Sequence, residues 1–131
     1  MIRRAALLGR SIRGSAAIQF AFAAPVLILF IIGTAQIGTL YAAYTGMQQA
    51  LGEGARLATL YPRPSDTAIG TRVRQAKFSL DSRYLSSSLS HGTANGVPYV
   101  DIQLTYAPRL NFIFFAGPSI SITRTRRAYL Y

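Results

Sequence analysis

The pattern of hydrophobic positions is dominated by one long apolar segment in the N-terminal third of the chain. No Asp, Glu, Lys or Arg occurs from Ser15 to Gly52. The stretch from Ala16 to Tyr41 exceeds the ~20 apolar residues that an α-helix needs to cross a ~30 Å hydrocarbon layer. Tyr41 and Tyr44 lie where an interfacial aromatic belt is expected. The pattern therefore predicts a transmembrane helix over residues 15–41.

A cleaved secretory signal is the alternative interpretation of this segment. Ala21-Phe22-Ala23 resembles a small-residue cleavage site, but the main apolar run follows these residues. Because a conventional signal has its apolar region upstream of the cut, a retained anchor is favoured. Pro25 lies inside the segment, and we expect a mild kink near Ala21–Ala24, which a membrane helix tolerates.

Helical periodicity continues beyond the predicted membrane segment, over residues 42–62. One helix from Ile18 to Leu60 would be roughly 65 Å long at 1.5 Å per residue, and Tyr61-Pro62-Arg63-Pro64 should end it. Leu40, Tyr44, Met47 and Leu51 form an apolar stripe at helical spacing. Beside the stripe, small residues that would allow close packing of a second backbone recur every four positions: Ala42, Gly46, Ala50, Gly54 and Ala58.

Two interpretations of this small-residue face remain open. The face can pack against the protein's own globular domain, or it can pack laterally against other subunits. The two carry equal weight on the sequence alone.

Residues 63–131 alternate between helical and strand patterns. Ser65-Asp66-Thr67 is a helix N-cap candidate, and the apolar spacing that follows predicts a short amphipathic helix over Thr67–Leu80. Ser82–Gly96 is polar and serine-rich, with a turn signal at Asn95-Gly96 and the loop-like run Ser86-Ser87-Ser88.

Strand periodicity appears further on. Alternation over Tyr99–Tyr106 places Val100, Ile102, Leu104 and Tyr106 on one face of a half-buried strand. A second strand covers Ser119–Thr123, with a continuation to Arg127, and pairs most simply with the first as an antiparallel hairpin. Asn111–Phe115, between them, is either core or an exposed apolar patch that meets a partner or the bilayer.

The fold class is therefore α+β: a long N-terminal transmembrane helix that extends into a small extracytoplasmic domain with a short helix and an antiparallel β-hairpin or small sheet. The predicted divisions are a basic leader (1–14), the transmembrane helix (15–41), its extension (42–62) and the α+β domain (63–131).

Charge gives the predicted orientation. The 131-residue chain has 14 basic and 4 acidic residues. Four arginines, Arg3, Arg4, Arg10 and Arg13, precede the apolar segment without any acid. By the positive-inside rule the N-terminus lies in the cytoplasm and the C-terminal domain outside, as a single-pass protein. The other basic residues are scattered and lack aromatic interleaving, which disfavours nucleic acid as a partner.

Candidate chemistry is sparse. The absence of cysteine excludes disulfides, thiolate nucleophiles and thiolate metal sites. His91 is the single histidine, and the four acids show no catalytic or metal-ligand spacing. We therefore expect no enzyme activity, cofactor, metal or small-molecule substrate.

The stretch Arg13–Pro25 resembles the N-terminus of the TadE-like pseudopilins of tight-adherence (Flp-type) pilus systems. In that family a basic leader and a glycine precede a short run of small residues, an acidic–aromatic pair, an alanine-rich run to a proline and a leucine-rich run ending in glycine. Gly14, Phe20, Pro25 and Gly33 match this pattern.

The resemblance implies a particular maturation and set of partners. A prepilin peptidase would cut between Gly14 and Ser15 at the cytoplasmic face of a bacterial inner membrane and remove the leader. Further partners would be other pilin or pseudopilin subunits, with incorporation into a pilus. The hypothesis is a minor pseudopilin or assembly component.

Gln19 departs from the family, because it replaces the acidic residue that is thought to pair with the N-terminal amine of a neighbouring subunit. A glutamine forms hydrogen bonds but does not neutralise an amine. The alternative function is therefore an uncleaved, membrane-anchored accessory protein that binds a cell-envelope partner through Phe112–Phe115.

Overall fold

The computed structural model describes the backbone of residues 2–113 and 115–130 and the side chains of residues 14–113 and 115–130. Two helices precede a set of antiparallel strands, which confirms the α+β prediction. The elements in chain order are α1 (Ile2–Ala58), α2 (Asp66–Gln75), a 3₁₀ turn (Ser82–Tyr84), β1 (Leu85–Ala94), β2 (Val97–Tyr106), β3 (Arg109–Phe112), β4 (Phe115–Ser119) and β5 (Ile122–Tyr129).

Helix α1 is one uninterrupted element of 57 residues, about 85 Å long at 1.5 Å per residue. It includes the predicted leader, so it begins earlier than the predicted Ile18, and it passes through Pro25. It ends at Ala58, two residues before the predicted Leu60, where the Leu60 N–H donates to the Leu57 carbonyl in a tighter turn (3.1 Å).

Helix α2 is shorter than the predicted Thr67–Leu80. Its N-terminus is capped as expected, since the Ser65 hydroxyl accepts a hydrogen bond from the Ala68 N–H (3.2 Å). The helix ends at Gln75, and Ser79 adopts a left-handed backbone conformation with φ of 57°. A helix cannot continue through that conformation, so Leu80 reaches the core from a loop.

A three-stranded antiparallel sheet with strand order β1-β2-β5 covers one side of α1 and α2. The central strand β2 follows the predicted alternation, because Val100, Ile102, Leu104 and Tyr106 are all buried. Its neighbours are in register at Leu89↔Ile102 on one side and Ile102↔Arg126 on the other.

The serine-rich segment around Ser86–Ser88 was predicted to be a loop. This prediction is wrong, because the segment forms strand β1. The predicted turn at Asn95-Gly96 is confirmed. Both residues have positive φ (52° and 79°), as a two-residue hairpin turn of the type favoured by Asn-Gly requires. Because β1 lies at the sheet edge, only Leu85 and Leu89 need to pack against the core.

The second predicted strand is also corrected. The partner of β2 is β5, which begins at Ile122, whereas Ser119 belongs to β4 and pairs with Arg109. β2 and β5 are antiparallel neighbours as predicted, but they are not a simple hairpin. A separate two-stranded sheet, β3–β4, is inserted between them.

The core forms where α1, α2 and the three-stranded sheet meet. Helix α1 contributes only its C-terminal part to it, from Ala43 to Ala58. The largest completely buried side chains are Met47, Leu51, Val73, Val100, Ile102 and Leu104. The C-terminal part of the long helix is thus an integral part of the folded domain.

Candidate functional site

The motif residues Gly14, Ser15, Gln19, Phe20 and Pro25 all lie on the N-terminal half of α1, away from the domain. Each of them is exposed. An added Cβ at Gly14 would meet no atom within 4 Å. This end of the helix is therefore accessible to another protein or to lipid.

Among the described residues, α1 is the one helix that is long and apolar enough to cross a membrane. Its most apolar window has no buried residue, and large side chains such as Phe22 (76%), Phe30 (72%) and Ile37 (69%) are exposed. In water such a surface would be strongly unfavourable. The helix fits a single-pass membrane anchor.

The small-residue face of α1 is covered by the protein's own domain. Gly46, Ala50, Gly54 and Ala58 are buried, and Ala42 is half-buried. A Cβ at Gly46 would lie 1.8 Å from the Phe78 carbonyl oxygen, and one at Gly54 would lie 2.4 Å from Val73 Cγ2. Of the two interpretations, packing within the chain accounts for the contacts at these positions.

An ion pair fixes α2 against α1 beside this face. The Glu53 carboxylate accepts hydrogen bonds from Arg72 Nη2 (2.6 Å) on α2 and from Arg56 Nη2 (3.3 Å) on its own helix. These hydrogen bonds, chiefly the one from Arg72, lower the pKa of Glu53. Since both side chains are partly exposed to solvent, the pair orients the two helices more than it stabilises them.

The arginines of β5 are tied to the sheet and to α1. Arg127 donates from Nε and Nη2 to the two carboxylate oxygens of Asp101, both at 2.8 Å, and stacks on Tyr99 at 3.7 Å. The hydrogen bonds from Arg127 lower the pKa of Asp101. The Arg124 guanidinium lies 4.6 Å from the centre of the Tyr44 ring and so connects β5 to α1.

Groups suited to catalysis do not converge in the described part of the chain. Within it, no three His, Asp or Glu side chains are grouped as metal ligands. His91 Nε2 contacts the Asp66 carboxylate at 2.9 Å, at the start of α2. This contact joins β1 to α2.

Sequence reasoning did not identify the contact between the β3–β4 hairpin and the apolar half of α1. The Gln36 side-chain amide donates a hydrogen bond to the Asn111 carbonyl. The two residues are 75 positions apart, so no local pattern links them. In the sequence, the apolar composition of Asn111–Phe115 was the feature that indicated a packing surface in this segment.

Helix and domain together define a class: in the described residues, one helix is long and apolar enough to cross a membrane, and the C-terminal part of that same helix packs into an α+β domain. The particular family follows from comparison with known proteins. The family model described as TadE-like protein matches residues 14–56, which confirms the resemblance stated from the sequence. No curated protein and no solved structure matches the chain.

The match suggests a Tad pilus-associated protein of a structural family. It begins at Gly14 and ends at Arg56, two residues before the end of α1. The residues matched by the family model therefore all lie in α1, and the match does not extend to α2 or the strands.

Proposed function

We propose that this protein is a minor pseudopilin or assembly component of a tight-adherence pilus. It is inserted in the bacterial inner membrane by the N-terminal half of α1, with the α+β domain outside the cytoplasm. A prepilin peptidase cuts between Gly14 and Ser15, and the mature helix then packs with other pilin or pseudopilin subunits.

The start of the family match at Gly14 is the observation that carries this proposal. A family pattern that includes the cleavage junction would be expected to begin at the glycine before the cut, one residue ahead of the proposed mature N-terminus at Ser15. The four arginines of the leader all precede this point. The exposed surface of α1 around Gln19 and Phe20 supplies a free apolar face for contact with subunits.

Gln19 also bears on how the subunit would be used. Without a carboxylate, it offers no opposite charge to the amine of a neighbouring subunit. Such a subunit suits a position at an end of a filament, where one of the two axial neighbours is missing, and this supports a minor role.

Intact-mass measurement of the membrane-inserted protein tests the processing step. In cells that contain the peptidase, the expected mass is that of residues 15–131. A Gly14→Val variant should retain the leader, while a matched Gly38→Val variant should be cut normally. Both glycines have no atom within 4 Å of an added Cβ, so neither change disturbs packing in the chain.

A wild-type protein that keeps Met1–Gly14 while pilus assembly proceeds would overturn the proposal. That result would favour the uncleaved accessory protein. Dependence of pilus assembly on Gly14 and not on Gly38 would support the proposal.

A further inference from the structure

The β3–β4 hairpin carries an exposed apolar surface of the domain. Residues 110–123 contain no charged side chain, and this run is bounded by Arg109 and Arg124. Within it, Ile113 is 72% exposed and Phe115 is 55% exposed. The Phe112 and Phe115 rings stack on each other with centroids 4.9 Å apart. Among the described hairpin side chains, Ile113 and Phe115 are exposed, Leu110 and Phe112 are half-buried, and none belongs to the buried core.

The position of the hairpin along α1 is fixed by direct contacts. Pro108 and Leu110 line a groove together with Gln36 and Leu40. The Asn111 carbonyl accepts the hydrogen bond from the Gln36 amide. Gln36 precedes Tyr41 by five residues, so this contact lies about 7.5 Å along the axis on the membrane side of Tyr41.

We propose that Ile113 and Phe115 of the β3–β4 hairpin insert into the membrane leaflet nearer the domain, beside α1, as a second membrane-contacting element. The occupant of the exposed apolar surface is lipid. The proposal rests on α1 crossing the membrane and does not depend on a role in pilus assembly.

Backbone hydrogen bonding limits the depth of this insertion. A two-stranded sheet has unpaired N–H and C=O groups along both edges, which the hydrocarbon core does not tolerate. The boundary between headgroups and acyl chains, about 5–10 Å deep, retains water and accepts such an element. The level set by Gln36 falls within that range, and the hydrogen bond from Gln36 satisfies one edge carbonyl.

The flanking side chains match the same placement. Arg124 stacks on Tyr44, which belongs to the predicted aromatic belt, and Arg109 is exposed at the base of the hairpin. Arginine and tyrosine are both favoured at the level of the headgroups. Asp81 and Arg109 line the groove beside Gln36, so charged groups reach the base of the hairpin, and the run 110–123 beyond Arg109 carries none.

Tryptophan fluorescence provides a direct test, because the chain contains no tryptophan. Full-length Ile113→Trp and Phe115→Trp variants would be reconstituted in phosphatidylcholine vesicles with or without brominated acyl chains. Phe30→Trp is the membrane reference. Tyr61→Trp is the aqueous reference, since Tyr61 is 94% exposed beyond the end of α1. All four positions are exposed, so the indole should not alter the core.

The expected result for both hairpin variants is a blue-shifted emission, loss of intensity in brominated vesicles comparable to that of Phe30→Trp, and protection from aqueous iodide. Emission and iodide quenching equal to those of Tyr61→Trp would overturn the proposal. A blue shift that brominated lipid does not quench, and that is lost when the protein is diluted in the vesicles, would overturn it in favour of packing against a second copy.

Discussion

Gly46 occupies the closest approach between α1 and the loop that follows α2. A Cβ built on Gly46 would lie 1.8 Å from the Phe78 carbonyl oxygen and 2.9 Å from its carbon, and real Cβ contacts are essentially never below 3.0 Å. A Gly46→Ala substitution therefore requires the backbone at Phe78 to retreat by more than about 1 Å. Gly52 lies on the same helix and has no such neighbour.

Two opposing effects set the size of the change. Alanine is favoured over glycine in a helix interior by about 1 kcal/mol. Overpacking a core typically costs about 1–3 kcal/mol, and a clash with backbone should fall at the upper end. We expect Gly46→Ala to lower the free energy of unfolding of the domain by about 2 kcal/mol, a change of about 30-fold in the equilibrium constant. Gly52→Ala should raise it by up to about 1 kcal/mol.

Hydrogen exchange of the full-length protein in detergent micelles measures both variants. The amides of α2 report on the interface, because Ile69 and Val73 pack against α1. They should exchange about 30-fold faster in Gly46→Ala and several-fold slower in Gly52→Ala, if exchange follows local and global opening. Equal behaviour of the two variants would refute the close approach at Gly46, and with it the conclusion that the domain itself covers the small-residue face.

Three further predictions concern the core, a helix cap and an ion pair. Leu51→Ala removes a side chain that is 1% exposed and should destabilise the domain by about 2–5 kcal/mol, whereas Leu27→Ala, at an exposed position of α1 outside the core, should leave denaturant unfolding of the domain unchanged. Ser65→Ala removes the N-cap of α2 and should cost about 1 kcal/mol, seen as faster exchange of α2 amides; unchanged exchange would contradict the cap assignment. The pKa of Asp101 is lowered in the folded state by Arg127, so its contribution to stability is present above pH ~4 and lost as the pH falls through the folded pKa. Asp101→Asn should flatten that acid-side decline in thermal unfolding, and an unchanged pH profile would exclude this pair as a source of acid sensitivity.

The strands illustrate which parts of the fold can be predicted from the sequence. β2 is central and has one face buried, so its period-two alternation of Val100, Ile102 and Leu104 predicted both the strand and its buried face. β1 lies at the edge, and its outward positions are serines that do not contrast with a loop composition. The strand exists because β2 offers it a complete hydrogen-bonding ladder, and that information lies outside its own residues.

The candidate site shows a similar division. The residues of the N-terminal motif all lie within the short stretch from Gly14 to Pro25, so the pattern can be read without knowing the rest of the fold. The contact between Gln36 and Asn111 depends on the inserted β3–β4 hairpin, which the sequence does not place relative to the helix. The burial of Gly46 and Gly54 likewise depends on where α2 and its loop cross α1.

The absence of a flexible joint between anchor and domain has a geometric consequence. Because α1 runs without a break from Gly14 into the core, the angular position of the domain around the helix axis is fixed relative to Gln19 and Phe20. Each residue advances an α-helix by about 100° and 1.5 Å. One residue inserted between Phe20 and Ala43 would swing the domain through more than a quarter turn relative to the motif. The number of residues between Phe20 and Ala43 therefore determines which side of the helix the domain covers and which side stays accessible to neighbouring molecules.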